Sequence, residues 1–175
     1  STTFANLESI SAEVVADTAE EMLSQAQDYY TIAPAITIKV PCTVEGLKVC
    51  KTLSDKGIKT NVTLVFSVAQ AILASKAGAT FISPFVGRWM DNSIDGIELI
   101  KNIRKVFDHS FSETQILAAS LRDVRQVEQS FLNGADVVTI PPIVFWAMYK
   151  NIMTDKGLEL FQKDWEEVLK NKKIK

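Results

Sequence analysis

The sequence predicts an α/β chain folded as a TIM (β/α)8-type barrel, on three observations. Short β-rich runs alternate with longer stretches of helical periodicity, the runs carry one polar and one apolar face, and no GxGxxG or GxxxxGK[ST] loop follows any of them. Repetition of strand then helix argues for a parallel sheet. An open sheet covered by helices on both sides is apolar on both faces. A barrel whose interior hosts chemistry turns its polar face inward instead.

Six runs read as strands: 8–14 (ESISAEV), 36–41 (ITIKVP), 59–65 (KTNVTLV), 81–86 (FISPFV), 115–120 (QILAAS) and 136–141 (DVVTIP). Their polar or small face collects Ser11, Glu13, Thr37, Lys39, Asn61, Thr63, Ser83, Ala118, Ser120 and Thr139. The alternate positions, among them Ile10, Val14, Ile36, Ile38, Val62, Leu64, Val138 and Ile140, suit contact with helices. Thr18 with Glu21, Ser67 with Gln70 and Asp123 with Gln126 have capping-box spacing, and Gly57, Gly78 and Gly134 stand where helices should stop. Only six of the eight units of such a barrel are visible. Six alone would leave unpaired strand edges, so the first two units, roughly 50 residues at the usual size of a strand-helix unit, are expected upstream of Ser1. The chain is read as one barrel domain over 1–175, with a C-terminal helix at about 155–170.

Composition narrows the function classes. The 175 residues carry a formal net charge of -2 and no basic run fit to follow a phosphate backbone, so nucleic acid is not an expected partner. The lysines at the end of the chain read as the close of a solvated helix. No apolar stretch nears the ~20 residues of a membrane span, and no basic-then-apolar leader opens the chain. Cys42 and Cys50 have neither CxxC spacing nor a disulfide framework, which fits a reducing, cytoplasmic compartment.

Lys39 is the residue that asks for a chemical explanation. It sits in the middle of an apolar strand, where an ammonium group must find a partner or give up its charge, and a neutral amine attacks carbonyls. Glu13 is a carboxylate between Ala12 and Val14. It offers either a static ion pair to Lys39 or a proton shuttle for Schiff-base chemistry. Asn61 and Thr63 share one strand face and suit hydroxyl binding or the placing of a water. Arg88 and Arg122 follow the carboxyl ends of strands, where barrel sites lie, and with the Ser120 hydroxyl they suit a phosphate monoester. For Arg122 a surface ion pair is the alternative. His109 reads as solvated, and Trp89, Trp146 and Trp165 as packing anchors.

The runs ITIKVPCTVEGLKVCKTL, NVTLVFSVAQA, ISPFVGR and LAASLRDVRQV, in this order and spacing, resemble the transaldolase family, including its small members and the related fructose-6-phosphate aldolases. The resemblance covers the chain from about Leu7 to the C-terminal helix. It implies that Lys39 is the Schiff-base lysine and that Glu13 and Thr63 hold a catalytic water. It also implies that Asn61 and Ser83 contact substrate hydroxyls, and that Arg88, Ser120 and Arg122 bind phosphate. Fructose-6-phosphate aldolases of this family carry glutamine at the position of Glu13 and tyrosine at that of Phe85, so these two residues favour the transaldolase branch. The family's first strand supplies an aspartate and its second a Thr-Asn-Pro stretch, and neither occurs in this sequence.

The activity so implied is transfer of a dihydroxyacetone unit from a ketose phosphate (fructose 6-phosphate or sedoheptulose 7-phosphate) to an aldose phosphate (erythrose 4-phosphate or glyceraldehyde 3-phosphate), as in the non-oxidative pentose phosphate pathway. No metal or organic cofactor is expected, since an imine nitrogen serves as the electron sink. Simple aldol cleavage, or a sugar-phosphate-binding barrel that has lost catalysis, are the alternatives. Small members form rings, commonly decamers, so a homo-oligomer is expected. The apolar positions 158, 161, 165, 168 and 169 of the last helix suit docking on a neighbour or on its own barrel.

Overall fold

The computed structural model describes residues 7–172. Lys173 and Lys175, part of the expected basic helix end, lie outside the described residues. Six parallel strands curl into a half-barrel with alternating helices. They are β1 (Ile10–Glu13), β2 (Ile36–Pro41), β3 (Thr60–Val65), β4 (Phe81–Pro84), β5 (Gln115–Ala118) and β6 (Val137–Val138), hydrogen-bonded in sequence order. The covering helices are α1 (Ala19–Tyr30), α2 (Val44–Ser54), α3 (Val68–Lys76), the short α4 (Val86–Met90), α5 (Gly96–His109) and α6 (Val124–Leu132). The compact unit that holds them ends at Ile140, and a second begins at Pro141.

Side-chain alternation explains the half-barrel. Val14, Ile38, Val40, Val62, Val65, Ile82, Ile116 and Ala118 are all but fully buried. They meet an equally buried helix layer that includes Met22, Val49, Leu53, Ile100, Ile103 and Phe107. Each such branched side chain removed from water contributes about 1.5–3 kcal/mol. The opposite strand faces carry the polar residues.

Local signals account for the helix starts. Thr18, Ser67 and Asp123 are N-caps, accepting from the backbone N–H of Glu21, Gln70 and Gln126 at 3.3, 3.1 and 2.8 Å. The glutamines return the favour one residue upstream of the cap: Gln70 accepts from the Phe66 N–H and Gln126 from the Arg122 N–H, at 2.8 and 2.7 Å. Gly57, Gly78 and Gly134 follow helix ends with positive φ, as expected.

Several expectations shift. The outer runs are shorter than predicted, most of all β6, which keeps two residues of a six-residue run. On β5 the parity differs: Ala118 is fully buried beneath the helices, and Leu117 and Ala119 face inward in its place. Ser120 still reaches the inner face, because its φ of 64° turns the chain just past the strand.

The second unit comprises α7 (Pro142–Ala147) and α8 (Ile152–Lys172). Phe145 packs edge-on against both Trp146 and Tyr149, with centroids 5.4 and 5.5 Å away. Trp146 and Trp165, expected as packing anchors, are largely exposed, as is the α8 stripe of Leu158, Phe161, Val168 and Leu169. No helix among the described residues is long and apolar enough to cross a membrane.

Both cysteines are free. Burial pushes the Cys50 thiol up, partly offset by its contact with Thr60, and burial with the nearby Cys50 pushes Cys42 up. The folded chain therefore holds these protons to higher pH than the unfolded one, so the associated stability is intact below the ordinary thiol range and declines as pH rises through it. Urea midpoints measured from pH 7 to 10 should fall at the alkaline end, and fall less in Cys50→Ala. Asp123→Ala, which removes a cap, should cost about 1 kcal/mol in the same assay.

Candidate active site

The register of the first three strands builds the site. Glu13 is the Cα partner of Lys39, and Lys39 of Asn61, so the three residues form one row across β1, β2 and β3. Residues in one row of a sheet point to the same face. Lys39 Nζ lies 2.9 Å from Glu13 Oε2, and the lysine side chain is only 25% exposed. The static ion pair raised as an alternative from sequence is thus present as a contact, on the inner face.

Asn61 extends the row into a hydrogen-bonded chain. Its Oδ1 accepts from Ser83 Oγ at 2.7 Å and its Nδ2 donates to Ser11 Oγ at 3.2 Å. Asn61 and Ser83 are almost fully buried. A buried amide with both ends engaged holds one orientation and presents its remaining N–H in a fixed direction. Ser11 was placed on the polar face by alternation, but nothing local marked it as a partner of Asn61.

These groups line a cavity of about 450 Å³ with Phe85, Leu117, Ala119, Ser120 and Thr139. Six of the nine predicted site residues, Glu13, Lys39, Asn61, Ser83, Phe85 and Ser120, meet there. Thr63 lies beside them, two residues beyond Asn61 on the same strand. It is fully buried, and its hydroxyl finds no hydrogen-bond partner among the described residues. A bulge follows directly, with Leu64 at a φ of 58°.

Arg88 and Arg122 stand at the carboxyl ends of β4 and β5. Arg88 is exposed, with its guanidinium carbon 5.0 Å from the centre of the Phe85 ring. Phe85 also packs on Phe66 at 5.6 Å, so the ring is held from two sides. Arg122 donates to Asp91 Oδ2 at 2.9 Å. Asp91 closes α4 and carried no signal in the sequence, being 31 residues from its partner. Gly87 brings the two arginine-bearing segments together. A Cβ built there would fall 1.7 Å from the Ser120 carbonyl oxygen and 3.2 Å from Arg122 Cγ.

Similarity to known proteins decides the family. The transaldolase/fructose-6-phosphate aldolase family model matches residues 2–172. This chain belongs to that family. A probable transaldolase of Paracoccus denitrificans (strain Pd 1222) is 55% identical over 156 residues, 89% of this chain and 72% of the relative. One of Caulobacter vibrioides (strain NA1000 / CB15N) is 54% identical over the same shares. Among solved structures, mandelate oxidase with 3,3-difluoro-2-hydroxy-3-phenylpropionic acid aligns at a TM-score of 0.59 and 17% identity, covering 78% of this chain and 49% of that one. This likeness concerns the fold alone, and the chain spans about half the length of that structure.

Membership in the transaldolase/fructose-6-phosphate aldolase family supports an enzyme of the aldolase or transferase kind. Gly87→Ala should force α4 away from the Ser120 turn, lowering stability by about 1–3 kcal/mol by overpacking. Chemical denaturation measures the loss.

Proposed function

We propose that the chain performs transaldolase chemistry through the ε-amine of Lys39. The observation that carries this reading is the row of Glu13, Lys39 and Asn61, with the amine 2.9 Å from a carboxylate in a polar cavity. Glu13 takes a proton from the ammonium group, and the freed amine attacks the C2 carbonyl of a ketose phosphate. Loss of the C2 oxygen as water gives an iminium ion. The C3–C4 bond then breaks, its electron pair passing toward the iminium nitrogen while the C4 hydroxyl loses its proton, and an aldose phosphate leaves. The remaining dihydroxyacetone enamine attacks the aldehyde of an acceptor aldose phosphate. Hydrolysis of the new imine returns Lys39, giving ping-pong kinetics.

The other residues take supporting roles in this scheme. Thr63 and Glu13 hold the water that moves protons. A buried hydroxyl without a protein partner costs about 1–3 kcal/mol, and a water satisfies it. Asn61 and Ser83 bind substrate hydroxyls. Arg88, Ser120 and Arg122 receive the phosphate, the guanidinium forks matching its oxygens. Phe85 has no hydroxyl to offer as proton donor, which favours transfer over simple cleavage. The exposed stripe of α8 suits docking on a neighbouring subunit in a homo-oligomer.

A second reading, sugar-phosphate binding without turnover, draws on Glu13, the single carboxylate among the described residues that line the cavity, which is already engaged by Lys39. Its mark would be tight binding of fructose 6-phosphate with no product formed.

Borohydride added with fructose 6-phosphate should leave a reduced adduct on Lys39, found by peptide mass spectrometry and missing in Lys39→Arg. An unmodified Lys39 in the wild-type chain would sink the Schiff-base reading. Glu13→Gln should lower turnover about 100-fold, as for loss of one general acid-base group. Product formation should depend on an aldose phosphate acceptor, and Phe85→Tyr should relax that dependence.

A further inference from the structure

We infer that Asp91 is a positioning residue for the phosphate end of the site, acting through Arg122. The inference rests on the reading above, in which Arg122 receives a substrate phosphate. Arg122 is anchored at its backbone, where its N–H donates to Gln126 Oε1 at 2.7 Å, while Gln126 is itself held by the Asp123 cap. Its side chain leaves that anchor across Gly87, where the missing Cβ lets the stem lie against α4. The guanidinium then reaches the far end of α4 and meets Asp91 at 2.9 Å.

Three properties of this contact favour positioning over competition for the phosphate. Among the described residues only one terminal nitrogen, Nη2, is engaged, so the rest of the guanidinium fork remains for a second anion. Both side chains are about half exposed, 54% and 51%, so an unrestrained arginine here would sample many rotamers, and a bond at one corner removes that freedom before substrate arrives. Asp91 also sits on the helix that carries Arg88, so the ion pair ties the two arginine-bearing segments to each other, as the Gly87 contact does through the backbone.

Calorimetric titration of the full chain with inorganic phosphate, fructose 6-phosphate and unphosphorylated fructose tests the inference. Asp91→Ala should weaken both phosphate-bearing probes about three- to fivefold, the size of one partly exposed ion pair, and leave fructose unchanged. Asp91→Asn, which keeps an acceptor oxygen, should recover part of the loss. In an Arg122→Ala background, Asp91→Ala should have no further effect. Tighter phosphate binding by Asp91→Ala would overturn the inference by making Asp91 a competitor. An equal loss with and without Arg122 would overturn it by placing its action elsewhere. If Arg122→Ala binds phosphate as well as wild type, or wild type binds none, the phosphate-site reading itself falls, and the inference with it.

Discussion

The in-register pairing of β1, β2 and β3 is the constraint on which the site depends. Side chains alternate between the two faces of a sheet, so a slip of one residue would carry Lys39 from the cavity to the helix layer. Ile38 and Val40, its neighbours, prevent that slip because both are fully buried on the other face. The apolar contacts of the barrel wall thereby fix the address of the amine. Polar chemistry on the inside and packing on the outside are two readings of one alternation.

Electrostatics then refines what register has placed. The Lys39 and Glu13 pair is open to solvent on the carboxylate side, 44% exposed, and an ion pair of that kind stabilises a fold by about 1 kcal/mol or less. Such a return does not account for a carboxylate in a strand otherwise made of Ile10, Ser11 and Ala12. The chain from the buried Ser83 and Asn61 out to the exposed Ser11 differs in kind. Its members bond to one another, which offsets part of the desolvation cost of polar side chains on the inner wall.

Much of this was legible in the sequence, and the gaps have physical causes. β2 falls where its run of alternating residues predicted, and the three N-caps and three helix-ending glycines follow local chemistry that any chain would obey. The inner face of β5 was misread by one residue, because Leu117, Ala118 and Ala119 show no polar contrast to set the phase. Ser120 was placed correctly in spite of that, through a positive φ that no glycine announced. The bulge at Leu64 was equally silent. Asp91 and Ser11 escaped notice as partners because their bonds span 31 and 50 residues, and spacing rules reach only one turn or one strand.

The close passage of Gly87 beneath the Ser120 carbonyl has a meaning for attempts to change what this barrel accepts. Phe85 and Arg88 lie on either side of it, and both are natural targets for redesign, one facing the cavity and one open to solvent. Residue 87 is buried and does not line the cavity, yet any side chain there would run into the Ser120 carbonyl and the Arg122 stem, so the segment that carries Phe85 and Arg88 would have to give way. Libraries that vary the rim are best built around an unvaried glycine, which acts as the hinge pin of the variable region although it contributes no atom to recognition.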